Sequence, residues 1–163
     1  MSTITPRIQT CLWFDDQAEQ AARHYVSIFE RSKIGRITRY GAEGLEVTGK
    51  PEGSVMTVEL ELDGHRFTAL NGGPQFRFNE AMSIVVNCAT QDEVEHYWSR
   101  LSEGGEEGPC GWLKDRFGMS WQVVPTVLPQ LLTSPDREKA GRVMQVMMGM
   151  SKLDIAALQA AAV

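Results

Sequence analysis

RIQTCLWFDDQAEQAARHYVSIF, residues Arg7 to Phe29, reads as a strand, a turn and an amphipathic helix. Ile8 to Phe14 is rich in β-branched and aromatic residues. Alternation puts Ile8, Leu12 and Phe14, with Thr10, on one face and Gln9, Cys11 and Trp13 on the other. Asp15-Asp16 supplies turn and N-cap chemistry. From Gln17 to Phe29, the residues Ala18, Ala21, Ala22, Tyr25 and Phe29 are spaced to face a sheet. Seventy-two residues on, without gaps, lies NEAMSIVVNCATQDEVEHYWSRL, Asn79 to Leu101. Leu12-Trp13-Phe14 then falls on Ile84-Val85-Val86, and His24-Tyr25 on His96-Tyr97. Two copies of such a unit point to a duplicated module rather than a solenoid.

Outward from this stretch, Lys33 to Tyr40 reads as a second strand and the glycine-rich Gly41 to Gly53 as a mobile loop. Ser54 to Leu62 alternates, with Met56, Val58, Leu60 and Leu62 on one face and Thr57, Glu59 and Glu61 on the other. Asp63-Gly64 before His65 to Asn71 is a hairpin signal, and Gly72-Gly73-Pro74 ends the strand. The second copy is expected as a strand at Ala81 to Cys88, a helix from Asp92 to Ser102, and short strands near Glu107, through Trp112-Leu113 and at Ser120 to Val124. Pro125 to Pro135 holds three prolines and reads as an extended tail. Helices follow at Asp136 to Met148, with a stripe of Ala140, Val143, Met144, Met147 and Met148, and at Leu153 to Ala162. Such methionine stripes serve core or dimer packing more often than a cofactor site. The expected fold is α+β: two tandem βαβββ modules, 1–74 and 75–126, and a helical extension, 127–163.

The chain has 163 residues, 42% of them hydrophobic, enough for a proper core. A net charge of −5 with scattered Lys and Arg argues against nucleic acid or an anionic membrane as partner. No apolar stretch approaches a membrane span, the N-terminus lacks a signal-peptide core, and a cytoplasmic location is expected. Cys11, Cys88 and Cys110 are odd in number and form no CxxC pair, which fits a reducing compartment and no zinc site.

Several phrases carry a resemblance: LWFDDQAEQAARHYVSIF at 12–29, DGHRFTALNGGP at 63–74, CGWLKDRFGMSWQVVPTVLPQLL at 110–132 and KLDIAAL at 152–158. With the tandem βαβββ pattern, they make the chain resemble the vicinal-oxygen-chelate superfamily, the fold of glyoxalase I, extradiol dioxygenases and bleomycin-binding proteins. Within it the chain looks like the PhnB-like subgroup, whose members often carry the label 3-demethylubiquinone-9 3-methyltransferase. The resemblance implies sheets that curl into half-cups, a ligand held within a cup, and a homodimer.

Metal-using members place inward ligands on the first and last strand of each module. Carried over, those places fall on Gln9, Thr68, Ala81 and Gln122. Two amides, a hydroxyl and a methyl lack the imidazole or ionised carboxylate that divalent transition metals want, so neither metal nor cofactor is expected. The three histidines fall on helix exteriors or just after a turn and supply no replacement. The implied inner wall holds Gln9, Cys11, Trp13, Glu59, Thr68, Asn71, Ser83 and Gln122, a mixture suited to a small, partly apolar molecule. The expected function is therefore metal-free small-molecule binding. The alternative is a lyase, isomerase or dioxygenase relative with a non-standard site, for which Glu59 and Cys11 are the catalytic candidates. A Rossmann-type methyltransferase is disfavoured, because no glycine-rich turn joins a first strand to a helix.

Overall fold

The computed structural model describes residues 6–163, which form two compact units divided between Arg77 and Phe78. The first unit contains β1 (Thr10–Phe14), α1 (Ala18–Ile28), β2 (Ser32–Arg39), a short α2 (Leu45–Thr48), β3 (Val55–Leu62) and β4 (His65–Asn71). Its sheet runs β1-β4-β3-β2, with β1 parallel to β4 and the other pairs antiparallel. Parallel pairing of β1 with β4 requires a long crossover, and α1 with the β2–β3 ribbon supplies it. Leu12, Phe14, Val58, Leu60, Leu62, Phe67 and Ala69 are buried on the helix side, where Ala18, Ala21, Ala22 and Tyr25 meet them. Asp63 and Gly64 both take positive φ, +46° and +86°, the turn geometry that matches the twist of a two-residue hairpin.

The second unit contains β5 (Ile84–Cys88), α3 (Gln91–Ser102), β6 (Glu106–Glu107), β7 (Trp112–Lys114), β8 (Ser120–Pro125), α4 (Val127–Leu132), α5 (Arg137–Met148) and α6 (Ile155–Ala161). Its strand order, β5-β8-β7-β6, repeats the first. Val86, Cys88, Val94, Trp98, Leu101, Leu113, Trp121 and Val123 are buried there. The β7–β8 turn is organised by buried Asp115. Its carboxylate accepts from Phe117 N (2.8 Å), Met119 N (3.0 Å) and Trp121 Nε1 (2.8 Å).

Three expectations change. The Gly41–Gly53 segment contains a 3-10 turn at Ala42–Gly44 and then α2. The proline-bearing tail contains α4: Pro129 occupies the helix's first turn, where an N–H has no intrahelical acceptor and its loss costs little. The gap-free repeat register is also replaced. From Thr10 to Ile84 the strand offset is 74, and from Ala18 to Gln91 the helix offset is 73. The turn before α3 is one residue shorter than the turn before α1, so no single offset serves both elements. Burial follows the new register, with Tyr25 matched by Trp98 and Ile28 by Leu101.

The extension packs within the second unit. Leu128, Val143, Leu153, Leu158 and Ala162 form a buried cluster against Val124 of β8. Gln91 ties it to α3, donating to Leu153 O (3.2 Å) and accepting from Ile155 N (2.9 Å). The expected wide stripe on α5 is covered only in part: Val143 is buried, whereas Met144 and Met148, with Val146 beside them, are exposed. Among the described residues, no helix is long and apolar enough to cross a membrane.

Candidate functional site

The first sheet has one face against α1 and one face without a helix; in the second, α3 covers one face and the α4–α6 cluster packs on Val124 at one end of the other. In the first unit the helix-free face carries Gln9, Cys11 and Trp13 from the first strand region, Thr68 from β4 and Glu59 from β3, because these alternate with the buried residues. Cross-strand register puts Cys11 beside Thr68 and Thr68 beside Glu59. Gln9 Nε2 donates to Thr68 Oγ1 at 3.0 Å. A groove of about 340 Å³ opens beside them, lined by Gln9, Glu59 and Glu61 together with Lys33, Arg36 and Arg66. Glu61 takes both Lys33 (3.8 Å) and Arg66 (3.5 Å), so this end of the face is polar and largely charge-compensated. The cationic rim was not anticipated from sequence. Its signal was the alternation of β3 and β4, which puts Arg66 across from Glu61.

The second unit repeats the arrangement. Ser83 precedes β5, Gln122 lies on β8, and Gln122 Nε2 donates to Ser83 Oγ at 2.9 Å. Gln122 is the register partner of Val85, as Thr68 is of Cys11. Gln9 and Ser83 are thus equivalents at the strand offset of 74, as are Cys11 and Val85. Ala81, the equivalent of Gln9 under a gap-free repeat, instead lies exposed ahead of β5.

Two wall residues have structural roles. Asn71 does not face the open side. It is buried beneath α1, accepts from Ala18 N at 2.8 Å and donates to Val55 O at 3.1 Å. It caps α1, whose own N-cap residue Gln17 makes no side-chain cap. Trp13 is on the open face, but its Nε1 donates to Gly73 O at 2.9 Å and its ring packs edge-on against Phe76. A Cβ at Gly72 would lie 2.2 Å from that ring, so the Gly72-Gly73 backbone wraps the indole closely.

The donor set does not fit a transition metal. At the four matched positions, two amides and two hydroxyls are hydrogen-bonded to one another in pairs and carry no charge. Among the described residues no group of three or more His, Cys, Asp or Glu is placed to hold a metal ion. Burial pushes the Cys11 thiol above its ordinary pKa, the opposite of what an activated nucleophile needs. His65 donates to or accepts from Thr10 Oγ1 at 3.0 Å at the exposed start of β4. What remains is a patterned set of neutral hydrogen-bonding groups, with Glu59 and the ion-paired Glu61 at the groove.

Residues 6–124 match the family described as 3-demethylubiquinone-9 3-methyltransferase. Among solved structures, the putative 3-demethylubiquinone-9 3-methyltransferase PhnB protein from Bacillus cereus is 31% identical, with a TM-score of 0.64 over 74% of this chain and 100% of that one. Protein PA1353 from Pseudomonas aeruginosa is 19% identical, with a TM-score of 0.59 over 74% of this chain and 98% of its own. Fosfomycin resistance protein FosX from Mesorhizobium loti is 12% identical, with a TM-score of 0.55 over 81% of this chain and 100% of its own. The last two likenesses are of fold alone. No curated protein matches. With the strand order repeated in both units and most of its length matched, the chain belongs to the PhnB-like family described as 3-demethylubiquinone-9 3-methyltransferase, within the vicinal-oxygen-chelate superfamily.

Proposed function

We propose that this chain is a metal-free, small-molecule-binding protein that works as a homodimer. The observation that carries the reading is the paired chemistry of Gln9–Thr68 and Ser83–Gln122. Each pair sits on the sheet face turned away from α1 or α3, and each replaces charged metal donors by groups that recognise a ligand through hydrogen bonds. The amide oxygens and hydroxyl lone pairs left over by these single bonds can receive a ligand's donors without leaving a buried charge. The exposed Met144, Val146 and Met148 on α5 supply an apolar surface of the kind a second copy would cover.

The family description names a methyl transfer, but the residues here offer no place for a nucleotide cofactor of the Rossmann type. The β1–α1 connection is Asp15-Asp16-Gln17, without the glycines that let a backbone approach a phosphate.

Native mass spectrometry of protein incubated with nickel, zinc or ferrous ion, then exchanged into volatile buffer, tests the reading. The expected spectrum is a dimer with no retained metal. A stoichiometric transition ion surviving exchange, or a monomer at micromolar concentration, overturns it. Glu59→Gln is expected to leave the dimer intact and the protein metal-free, because Glu59 lies at the groove and not among the paired positions.

A further inference from the structure

Beside the β6–β7 hairpin of the second unit lies a pocket of about 480 Å³ that no sequence expectation singled out. Ser120 lines it. This residue alternates with buried Trp121 along β8 and so shares a face with Gln122. Ser120 is 1% exposed, and its Oγ is buried without a hydrogen-bond partner. A buried hydroxyl in that state is unusual, because withdrawing it from water is unfavourable unless a partner replaces the lost bonds. The side chain of Trp112 borders the same pocket from β7, with Pro109 and Cys110 beyond it.

The charges around the pocket are unequal. Lys114 is ion-paired with Glu80 and stands opposite Glu106 across the β6–β7 ladder. Glu80 holds the Lys114 ammonium above its ordinary pKa, and Lys114 holds the Glu80 carboxyl below its own. That pair is self-neutralising. Glu80, Glu106 and Glu107 nevertheless line the pocket against the one ammonium of Lys114, so its charge is net negative; Glu107 accepts from Trp98 Nε1 at 2.9 Å.

The geometry points to a binding site for a planar, largely apolar molecule that carries both a hydrogen-bonding group and a basic nitrogen. The ring stacks on Trp112. The hydrogen-bonding group meets the Ser120 hydroxyl, which can either donate or accept. The protonated nitrogen lies toward Glu106. An anionic ligand meets net negative charge there and is disfavoured. This inference rests on the reading of the chain as a small-molecule binder and adds the chemistry of its ligand.

A methoxycoumarin bearing an aminomethyl group has the three required features. The same ring bearing an acetate group differs only in the sign of its charge. Titration of the full-length protein, followed by fluorescence and calorimetry, is expected to give affinity at least tenfold higher for the amine. Ser120→Ala should weaken the amine's binding at least fivefold and Trp112→Ala at least tenfold, with Trp112→Phe restoring most of the loss. Ser120→Ala should also leave the melting temperature unchanged or raised, since the hydroxyl it removes has no partner in the free protein. Equal affinity for the two coumarins, no binding of either, or indifference to both substitutions overturns the pocket assignment. The broader reading is judged separately, by metal retention and dimer mass in native spectra, so the two can fail independently.

Discussion

The two units share a strand order and differ in how they make it stable. In the first, β2, β3 and β4 have eight, eight and seven residues, and the helix face is built from Ala18, Ala21 and Ala22, which let α1 lie close on the sheet. In the second, β6 and β7 have two and three residues, and the helix face is built from Val94, Trp98 and Leu101. The β5–β8 ladder matches that of β1–β4, but little ladder remains along β6 and β7. Buried Asp115 and the α4–α6 cluster take its place: one gathers the β7–β8 turn, the other packs on Val124. The same topology therefore rests on long ladders throughout one unit, and at the β6–β7 side of the other on side-chain networks. Substitutions should reveal the difference.

The largest effect is expected at Asp115. Asp115→Ala removes the carboxylate that accepts from two backbone N–H groups and the Trp121 indole N–H, a loss of about 3 kcal/mol. Asp63, in the corresponding β3–β4 turn, makes an exposed ion pair with Arg31 and holds a positive φ that alanine tolerates less well, and Asp63→Ala should cost about 1 kcal/mol. Equilibrium urea unfolding of both variants, followed by tryptophan fluorescence and circular dichroism, checks the contrast. Equal shifts for the two variants would break it.

Next come the helix starts. Asn71→Ala removes the cap of α1 and a second bond to Val55 O, an expected loss of about 2 kcal/mol. α3 is capped locally: Thr90 Oγ1 accepts from Glu93 N at 3.2 Å, and Glu93 Oε2 accepts from Ala89 N at 2.6 Å. Thr90→Ala is expected to cost about 1 kcal/mol, half as much, because the Glu93 half of the box remains. Thermal melts of the two variants, each against wild type, settle the order.

These caps also show what was legible in the sequence. Thr90 with Glu93 is a local signal, and the α3 start was placed within one residue of its observed position. Asp63-Gly64 and the alternation of β3 and β4 were equally local, so the first module's strands were found almost to the residue. Asn71 lies three residues from Thr68, so alternation alone puts it on the opposite face with Phe67 and Ala69; what the sequence does not report is its partner, Ala18 N, 53 residues away. Alternation correctly put Gln9 and Thr68 on one face, but a strand period cannot report that they bond to each other. Ser83 was assigned to the wall yet not recognised as the match of Gln9, because His24-Tyr25 and His96-Tyr97 favoured a register that the shorter turn breaks. Ser120 had no signal except its place two residues before Gln122. α4 was hidden by Pro129, whose position in the helix's first turn is compatible with a helix that the composition argued against.

The smallest effect separates the extension from the rest of the second unit. Lys152 Nζ bonds Glu95 Oε2 at 2.5 Å, tying the segment before α6 to α3. The Lys152 hydrogen bond, followed by one from Gln91, holds the Glu95 carboxyl below the usual carboxylate range. A carboxyl depressed in the folded state stabilises the fold above its unfolded pKa of about 4.3 and loses that contribution as pH falls through its folded value. Both side chains are well exposed, so solvent screening limits the pair to a few tenths of a kcal/mol. Lys152→Met should therefore shift the urea midpoint only slightly at pH 7. The gap from wild type should close as the pH is lowered toward about 3, and shrink in high salt at neutral pH. A gap that persists under both conditions would mean that packing around position 152, rather than the lysine's charge, holds the extension to α3. Packing would then account for the second unit's attachment of its tail, as it does for the cluster around Val143 and Leu158.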